Sequence, residues 1–189
     1  MLALQGDFAE HTDVVRRLGA EAIPVRLPQH LPGLHGLIIP GGESTTIVRL
    51  LDIFGLRQPI LELARRAPLF GTCAGMILLA KQATDLAQPT LGLIDIVVQR
   101  NAFGRQVDSF EAALSFKGLA APVPAVFIRA PLILKAGPAV EVLASLPDGM
   151  AVAARQGNIL VTAFHPELTA DTRVHGYFLG LAQEASHLR

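Results

Sequence analysis

The run GLIIPGG, residues 36 to 42, is apolar at successive positions and then stops at Pro40-Gly41-Gly42. A strand with one solvated face alternates apolar and polar residues, so an unbroken apolar run points to burial on both faces, as in a parallel sheet covered by helices. A second apolar run, Pro68-Leu69-Phe70, enters a turn bracketed by Gly71 and Gly75. The segments between have helical spacing. Phe8, Val14, Val15 and Leu18 fall on one stripe with Gly19 at a helix end, residues 44 to 66 are helical with a break at Gly55, and Gly75 to Ala83 is apolar and helix-like. MLALQ (1 to 5) and AIPVRL (22 to 27) read as short strands, and HLPGLHG as a Pro/Gly loop. This alternation predicts an α/β fold in three layers with a mostly parallel central sheet.

Beyond residue 90 the texture changes to closely spaced strands: LGLIDIVVQR, DSFEAALSF, PAVFIRA, VEVLASL, MAVAARQ and NILVTAF. Turns such as PDG and QGN between them predict antiparallel additions to the sheet, and Thr169 to His187 reads as a closing amphipathic helix. Residues 1–189 form a single domain on this reading, because 51% hydrophobic content supplies a sizeable core at this length.

Sixteen basic residues balance sixteen acidic ones, so no net field draws nucleic acid or an anionic membrane. No apolar run is long enough to span a bilayer, and the acid and histidine within MLALQGDFAEH are unlike a signal or transit peptide. The single cysteine cannot form an internal disulfide, and no Cys/His cluster has zinc-ligand spacing; a reducing cytoplasm and no metal or cofactor are the expectation.

Three stretches could carry chemistry. In FGTCAG, Cys73 sits between a strand and a helix in the G-x-C-x-G form of a nucleophile elbow. The flanking glycines relieve crowding there, and free N–H groups at the helix start favour thiolate over thiol. A buried cysteine serving as a small hydrophobe fits the same residues. In FHPE, Pro166 fixes the backbone so that His165 and Glu167 project to one side, where a carboxylate would hold one imidazole nitrogen and leave the other to accept a proton. A solvated loop histidine is the other reading. In PGGESTT, Gly41 and Gly42 permit close approach of backbone N–H groups to a ligand, and Glu43 to Thr46 would cap the next helix. A plain strand-to-helix turn has the same composition, and no Gly-Lys-Ser/Thr follows to make a P-loop.

PGGEST, FGTCAG and FHPE, in that order, resemble the signature of class I glutamine amidotransferase domains. More narrowly, LALQGDF (2 to 8), RNAFGRQVDSFE (100 to 111), VFIRAP (126 to 131) and FHPELT (164 to 169) are similar to the glutaminase subunits of pyridoxal 5′-phosphate synthase. The resemblance implies a flavodoxin-like, class I amidotransferase-like sheet. It implies that Cys73 attacks the carboxamide of L-glutamine to form a thioester, that His165 shuttles the proton and that Glu167 orients the ring. Backbone N–H groups of Gly42 (or Gly41) and Ala74 would bind the oxyanion. Gly41, Gly42, Glu43, Ser44, Arg100, Ile128 and Arg129 match substrate-binding positions; a surface salt bridge is the bland alternative for the two arginines.

The implied partner is the synthase subunit, which joins the ammonia to a pentose phosphate and a triose phosphate, and family members are poor glutaminases alone. They usually carry a few more residues before LALQG, so either the first strand is shorter here or the start codon is misplaced; the loss would trim stability rather than chemistry. His11, His30, His35, His175 and His187 receive no role, and most of them read as solvated. A stand-alone cysteine hydrolase or chaperone-like protein would not need PGGES after the third strand or FHPE near the chain end. A docking subunit without activity would not need Cys73, His165 and Glu167 together.

Overall fold

A computed structural model describes residues 1–100, 102 and 109–187; the middle of the 100 to 111 block singled out above therefore lies outside the described residues. Met1 to Gln5 runs extended beside the segment around Val25, with Leu2 paired in parallel to Val25 and its N–H donating to Ile38 O at 2.9 Å. Both segments occupy strand positions, but each is reduced to a single bridge. Pro24 has no N–H to add to a ladder, and Gly6, at φ 94°, turns the chain away. Helix α1 (Phe8–Arg17) follows, and then, after a short 3₁₀ turn, strand β1 (Leu37–Ile39).

Next come α2 (Ser44–Ile53), α3 (Arg57–Ala64), β2 (Leu69–Thr72) and α4 (Ala74–Leu79). The helical expectation over 44 to 66 holds, with the break at Gly55, which adopts φ 64°. The expected helix from Gly75 to Ala83 ends earlier. Ala80 turns extended at ψ 153°, and Ala80–Ala83 becomes β3, paired in parallel with β4 (Ile94–Gln99). A short apolar run has no period that separates the two states, so pairing with β4 decided it.

Strands β5 (Ser109–Leu114) and β6 (Val123–Ile128) form a separate antiparallel pair. Strand β7 (Leu132–Ala136) has no counterpart in the sequence reading; its few apolar residues are followed at once by Lys135 and exposed positions, and its identity comes from pairing with β4. The chain continues through β8 (Glu141–Ser145), β9 (Ala151–Gln156), β10 (Ile159–Thr162) and α5 (Arg173–His187).

Among the described residues the main sheet has eight strands in the order β1-β2-β10-β9-β7-β4-β3, with β8 against β9. The ladders β1–β2, β2–β10 and β3–β4 are parallel. Those through β7, β8 and β9 are antiparallel, so the sheet is mixed and the additions lie within it as well as at its edge. The QGN turn joins β9 to β10 as a hairpin, with Gly157 at φ 54°.

Alternation along β2 shows how helices cover both faces. A Cβ on Gly71 would strike Gly75 and Leu79 of α4. Phe70, one residue earlier, points the other way, with its ring centroid 5.6 Å from Phe178 and 5.9 Å from His175 of α5. The core is one contiguous cluster, with Phe70, Phe127 and Phe164 fully buried. No helix among the described residues is long and apolar enough to cross a membrane.

Gly75 is where α4 meets β1 most closely, because a Cβ there would collide with the carbonyl oxygen of Ile39, a backbone atom that cannot rotate aside. Gly75→Ala is expected to lower unfolding free energy by about 1–3 kcal/mol or more. Gly176→Ala on α5, where a Cβ meets nothing within 4 Å, is expected to be neutral or stabilising by about 0.5–1 kcal/mol. Urea unfolding midpoints of the two variants against the parent check the contrast.

Candidate active site

Cys73 stands between the last residue of β2 and the first of α4, at φ 48° and ψ −103°. Few non-glycine residues adopt positive φ, and such strain persists only where its surroundings hold it. Here the holding groups are identifiable. The Cys73 N–H donates to Thr162 O of β10 at 2.8 Å, and the two flanking glycines let α4 lie directly on the backbone of β1 and β2. The side chain emerges at the C-terminal end of the parallel strands, where open α/β sheets gather their chemistry. The cysteine is 8% exposed, and its Sγ lies 3.9 Å from Ile128 O at the end of β6.

His165 arrives from β10. The chain leaves that strand through Ala163 and Phe164, and the His165 N–H donates to Val126 O of β6 at 2.8 Å. Pro166 opens a 3₁₀ turn, Pro166–Leu168, that folds Glu167 back under the ring. The resulting hydrogen bond joins His165 Nδ1 to Glu167 Oε1 at 2.7 Å, with both residues buried. His165 Nε2 is thereby left for the thiol. Burial of the ring works against its charge, but hydrogen bonds with Cys73 and Glu167 outweigh that cost and raise its pKa far above the ordinary imidazole value. Burial likewise works against the Glu167 carboxylate, yet hydrogen bonding to His11 and His165 brings its pKa down to about 2. The histidine is thus disposed to take a proton and the carboxylate to keep its charge.

The glycine turn packs against this pair. A Cβ on Gly41 would enter the His165 ring, and one on Gly42, at φ 149°, would strike the Gln5 side chain. Glu43 caps α2: its carboxylate accepts from Thr45 N at 3.0 Å and Thr46 N at 2.6 Å. Desolvation opposes ionisation there, but the hydrogen bonds from Thr46 and Thr45 prevail and hold the pKa near 2. Ser44 is buried at the first position of α2. Arg100 Nη2 lies 3.6 Å from Glu43 Oε1, and its Nη1 donates to Asp85 O. The Arg100 side chain is 18% exposed and that of Glu43 52%, so the pair is sheltered on the arginine side only. Ile128 and Arg129 are exposed beside the site, with Arg129 at φ 46°. Ala74 is buried at the first position of α4, where its N–H has no partner within the helix.

Four further residues at this end of the sheet were not singled out from sequence. Gln5 Oε1 accepts from Glu43 N at 2.7 Å. Asp7 Oδ2 lies 3.4 Å from His165 Nδ1, and burial raises its pKa against the opposing charge of His165. His11 and His175, two of the five histidines given no role and mostly read as solvated, are fully buried. The available signal was the clustering of Gln5, Asp7 and His11 within LALQGDFAEH. Asp7, His165 and Glu167 bring possible ligand atoms within 4.8 Å of one another. With Nδ1 already hydrogen-bonded to Glu167, however, the arrangement is that of an oriented base. A cavity of about 540 Å³ bordered by Met1, Ile23, Gly36 and Phe178 lies at the opposite, N-terminal ends of the strands, away from Cys73.

The model of the SNO glutamine amidotransferase family matches residues 1–184. The chain is 58% identical over 187 residues to the pyridoxal 5′-phosphate synthase subunit PdxT of Dehalococcoides mccartyi, covering 97% of this chain and 96% of that protein. It is 56% identical over 193 residues to the subunit of the same name from Deinococcus radiodurans, covering 99% and 98%. A crystal structure of a glutamine amidotransferase superposes with a TM-score of 0.92 at 51% identity, covering 96% of this chain and 97% of that one.

Since Glu167 has a lower pKa folded than the ordinary 4.5, it adds stability above that pH and loses it as pH falls toward about 2. Glu167→Gln is expected to flatten the decline in stability between those limits. Denaturant titrations at stepped pH, with the parent alongside, measure the slope; an unchanged slope would contradict the assignment.

Proposed function

Because the chain belongs to the SNO glutamine amidotransferase family, we propose that Cys73, His165 and Glu167 perform its hydrolysis of L-glutamine to L-glutamate and ammonia. The ammonia serves pyridoxal 5′-phosphate synthesis. The observation that carries the assignment of residues is the positive-φ cysteine next to a histidine whose other ring nitrogen is held 2.7 Å from a buried carboxylate.

The steps follow from that arrangement. His165 Nε2 takes the thiol proton as Sγ attacks the carboxamide carbon, and the carbonyl oxygen becomes an oxyanion. The N–H groups of Ala74 and of Gly42 in the adjoining turn are its donors; removing one such donor costs about 100- to 1000-fold in rate. The tetrahedral intermediate collapses, the C–N bond breaks, and His165 returns the proton to the leaving ammonia. The same nitrogen then deprotonates water, which attacks the thioester and frees glutamate and the thiol.

Gly41, Gly42, Glu43 and Ser44 form the near wall for glutamine. Arg100, with Ile128 and Arg129 across the site, supports the amino-acid end, since a guanidinium fork suits an α-carboxylate. Free ammonia in water becomes ammonium, so the product is useful only when released into an acceptor. We assign that role to the synthase subunit, docked on the face that carries the Gly41-Gly42 turn, and place the pair in the reducing cytoplasm that the free thiol suits.

Ammonia release from glutamine, measured with and without the synthase subunit, tests this reading. Wild-type turnover is expected to rise on adding the synthase, and Cys73→Ala to lose at least about 1000-fold in kcat. An electrophilic glutamine analogue should label Cys73 alone. Activity that survives Cys73→Ala removes the mechanism, and equal turnover without the synthase removes the docking requirement.

A further inference from the structure

Behind Glu167 lies a second pair of buried side chains that the reaction as written does not use. His11 of α1 and His175 of α5 are both fully buried, with His11 Nδ1 2.8 Å from His175 Nε2. On its other side, His11 Nε2 lies 3.1 Å from Thr72 Oγ1 of β2 and 3.3 Å from Glu167 Oε2. Glu167 Oε2 and His175 Nδ1 are buried without a well-formed hydrogen bond. Buried polar groups without partners are costly, so the protons in this cluster are constrained.

Two neutral tautomer arrangements are available. If His11 Nδ1 carried the proton, its bare Nε2 would face the Glu167 carboxylate, lone pair against negative charge. His175 would then also hold a buried N–H with no acceptor. If instead His175 Nε2–H donates to His11 Nδ1, the His11 proton sits on Nε2, shared between Glu167 Oε2 and Thr72 Oγ1. His175 Nδ1 is then a bare acceptor, the cheaper group to leave unmatched. Only the second arrangement gives the carboxylate a donor on its far oxygen.

We propose that His11, set in this tautomer by His175, is a positioning residue that holds the second carboxylate oxygen of Glu167 and keeps the carboxylate aimed at His165. The inference rests on the reading of His165 and Glu167 as the base and its orienting carboxylate. In this arrangement the carboxylate has a donor on each oxygen: His165 on Oε1 and His11 on Oε2. Losing either lets it rotate or accept a proton, and His165 loses the partner that fixes its ring. His175 stays neutral in support, because burial lowers its pKa to about 3. The other ionisable groups around the cluster are Asp7 ahead of α1, Arg17 at the end of α1, and His165 and Cys73 beyond Glu167.

The test exploits side-chain shape. Gln at position 11 can set an amide N–H near the place of Nε2, facing Glu167, whereas Asn reaches only the place of Nδ1, facing His175. The readouts are kcat and KM for ammonia release in complex with the synthase subunit, and the pH dependence of Cys73 alkylation by iodoacetamide in the full chain. His11→Asn and His11→Leu are expected to lower kcat by about tenfold or more with KM within about twofold, and to move the onset of alkylation to higher pH. His11→Gln should restore kcat and the alkylation profile most of the way.

A purely structural role predicts that Asn and Gln behave alike, or that activity falls only with the folded fraction while the alkylation profile stays put; either result overturns the proposal. Should the His11 variants not fold, His175→Phe serves in their place, since a Phe ring can keep the edge contact that His175 makes with Phe70. It should shift the alkylation profile in the same direction, and a wild-type profile overturns the proposal. A silent His11→Asn beside an inactive Cys73→Ala removes this inference alone, whereas an active Cys73→Ala removes the reading beneath it.

Discussion

Main chain meets main chain at Gly71 and Gly75, where α4 rests on β1 and β2 with no space for a Cβ, and the placement of the reacting groups follows from that contact. With the helix so close, the residue joining strand to helix must turn at positive φ, and that residue is Cys73. The Cys73 N–H to Thr162 O bond compensates part of the strain and ties the turn to β10. Parallel register pairs Thr162 with Thr72, so the two strands end level. Three residues past the end of β10 the chain has delivered His165 to the thiol's side. One backbone contact and one ladder therefore set the separation of Cys73 and His165, the proposed nucleophile and base, without any direct link between their side chains being needed to build it.

The two faces of β2 divide the work of supporting this turn. On the α4 face the contact is apolar and close, through Gly71 against Gly75 and Leu79. On the opposite face Thr72 meets His11, and Phe70 places its ring edge toward His11 and His175. Polar groups on that second face would cost stability singly; joined as Glu167, His11, Thr72 and His175 they satisfy most of one another's demand. The apolar face fixes where the backbone goes, while the polar face fixes the protonation of what the backbone carries.

The parts of this design that depend on local chemistry were readable in the sequence. The glycine turns, the break at Gly55, the cap at Glu43 and the elbow at Cys73 all follow from residues within a few positions of one another. The parts that depend on distant pairing were not. Strand β7 takes its identity from β4 and β9, and Ala80–Ala83 becomes a strand only because Ile94–Gln99 lies beside it. His11 follows Phe8 by three residues and precedes Val14 and Val15 by three and four, so helical spacing puts it on the buried stripe of α1 despite the polar composition of FAEHTD. Local spacing does not record its partner: His175 lies far along the chain on α5, and only the fold brings the two rings together. The proposed triad was legible only as an ordered set of motifs, since spacing alone could not bring Cys73 and His165 together.

Recognition of a small zwitterion by a chain of zero formal net charge must come from local groups, because no long-range field favours either end of the molecule. The Glu43–Arg100 pair offers both signs at one turn, with the carboxylate held rigid by three donors from Thr45 and Thr46. A carboxylate with its oxygens so occupied is a fixed dipole end rather than a mobile counter-ion, and with Asp85 O and Thr45 Oγ1 it holds the Arg100 guanidinium to which substrate binding is assigned in the proposed function. Pre-orientation of that kind reduces the ordering cost of binding. A glutamate at the cap of α2 serves both purposes: its two oxygens accept from the N–H groups of Thr45 and Thr46, and its charge faces Arg100, which a serine or asparagine would not supply.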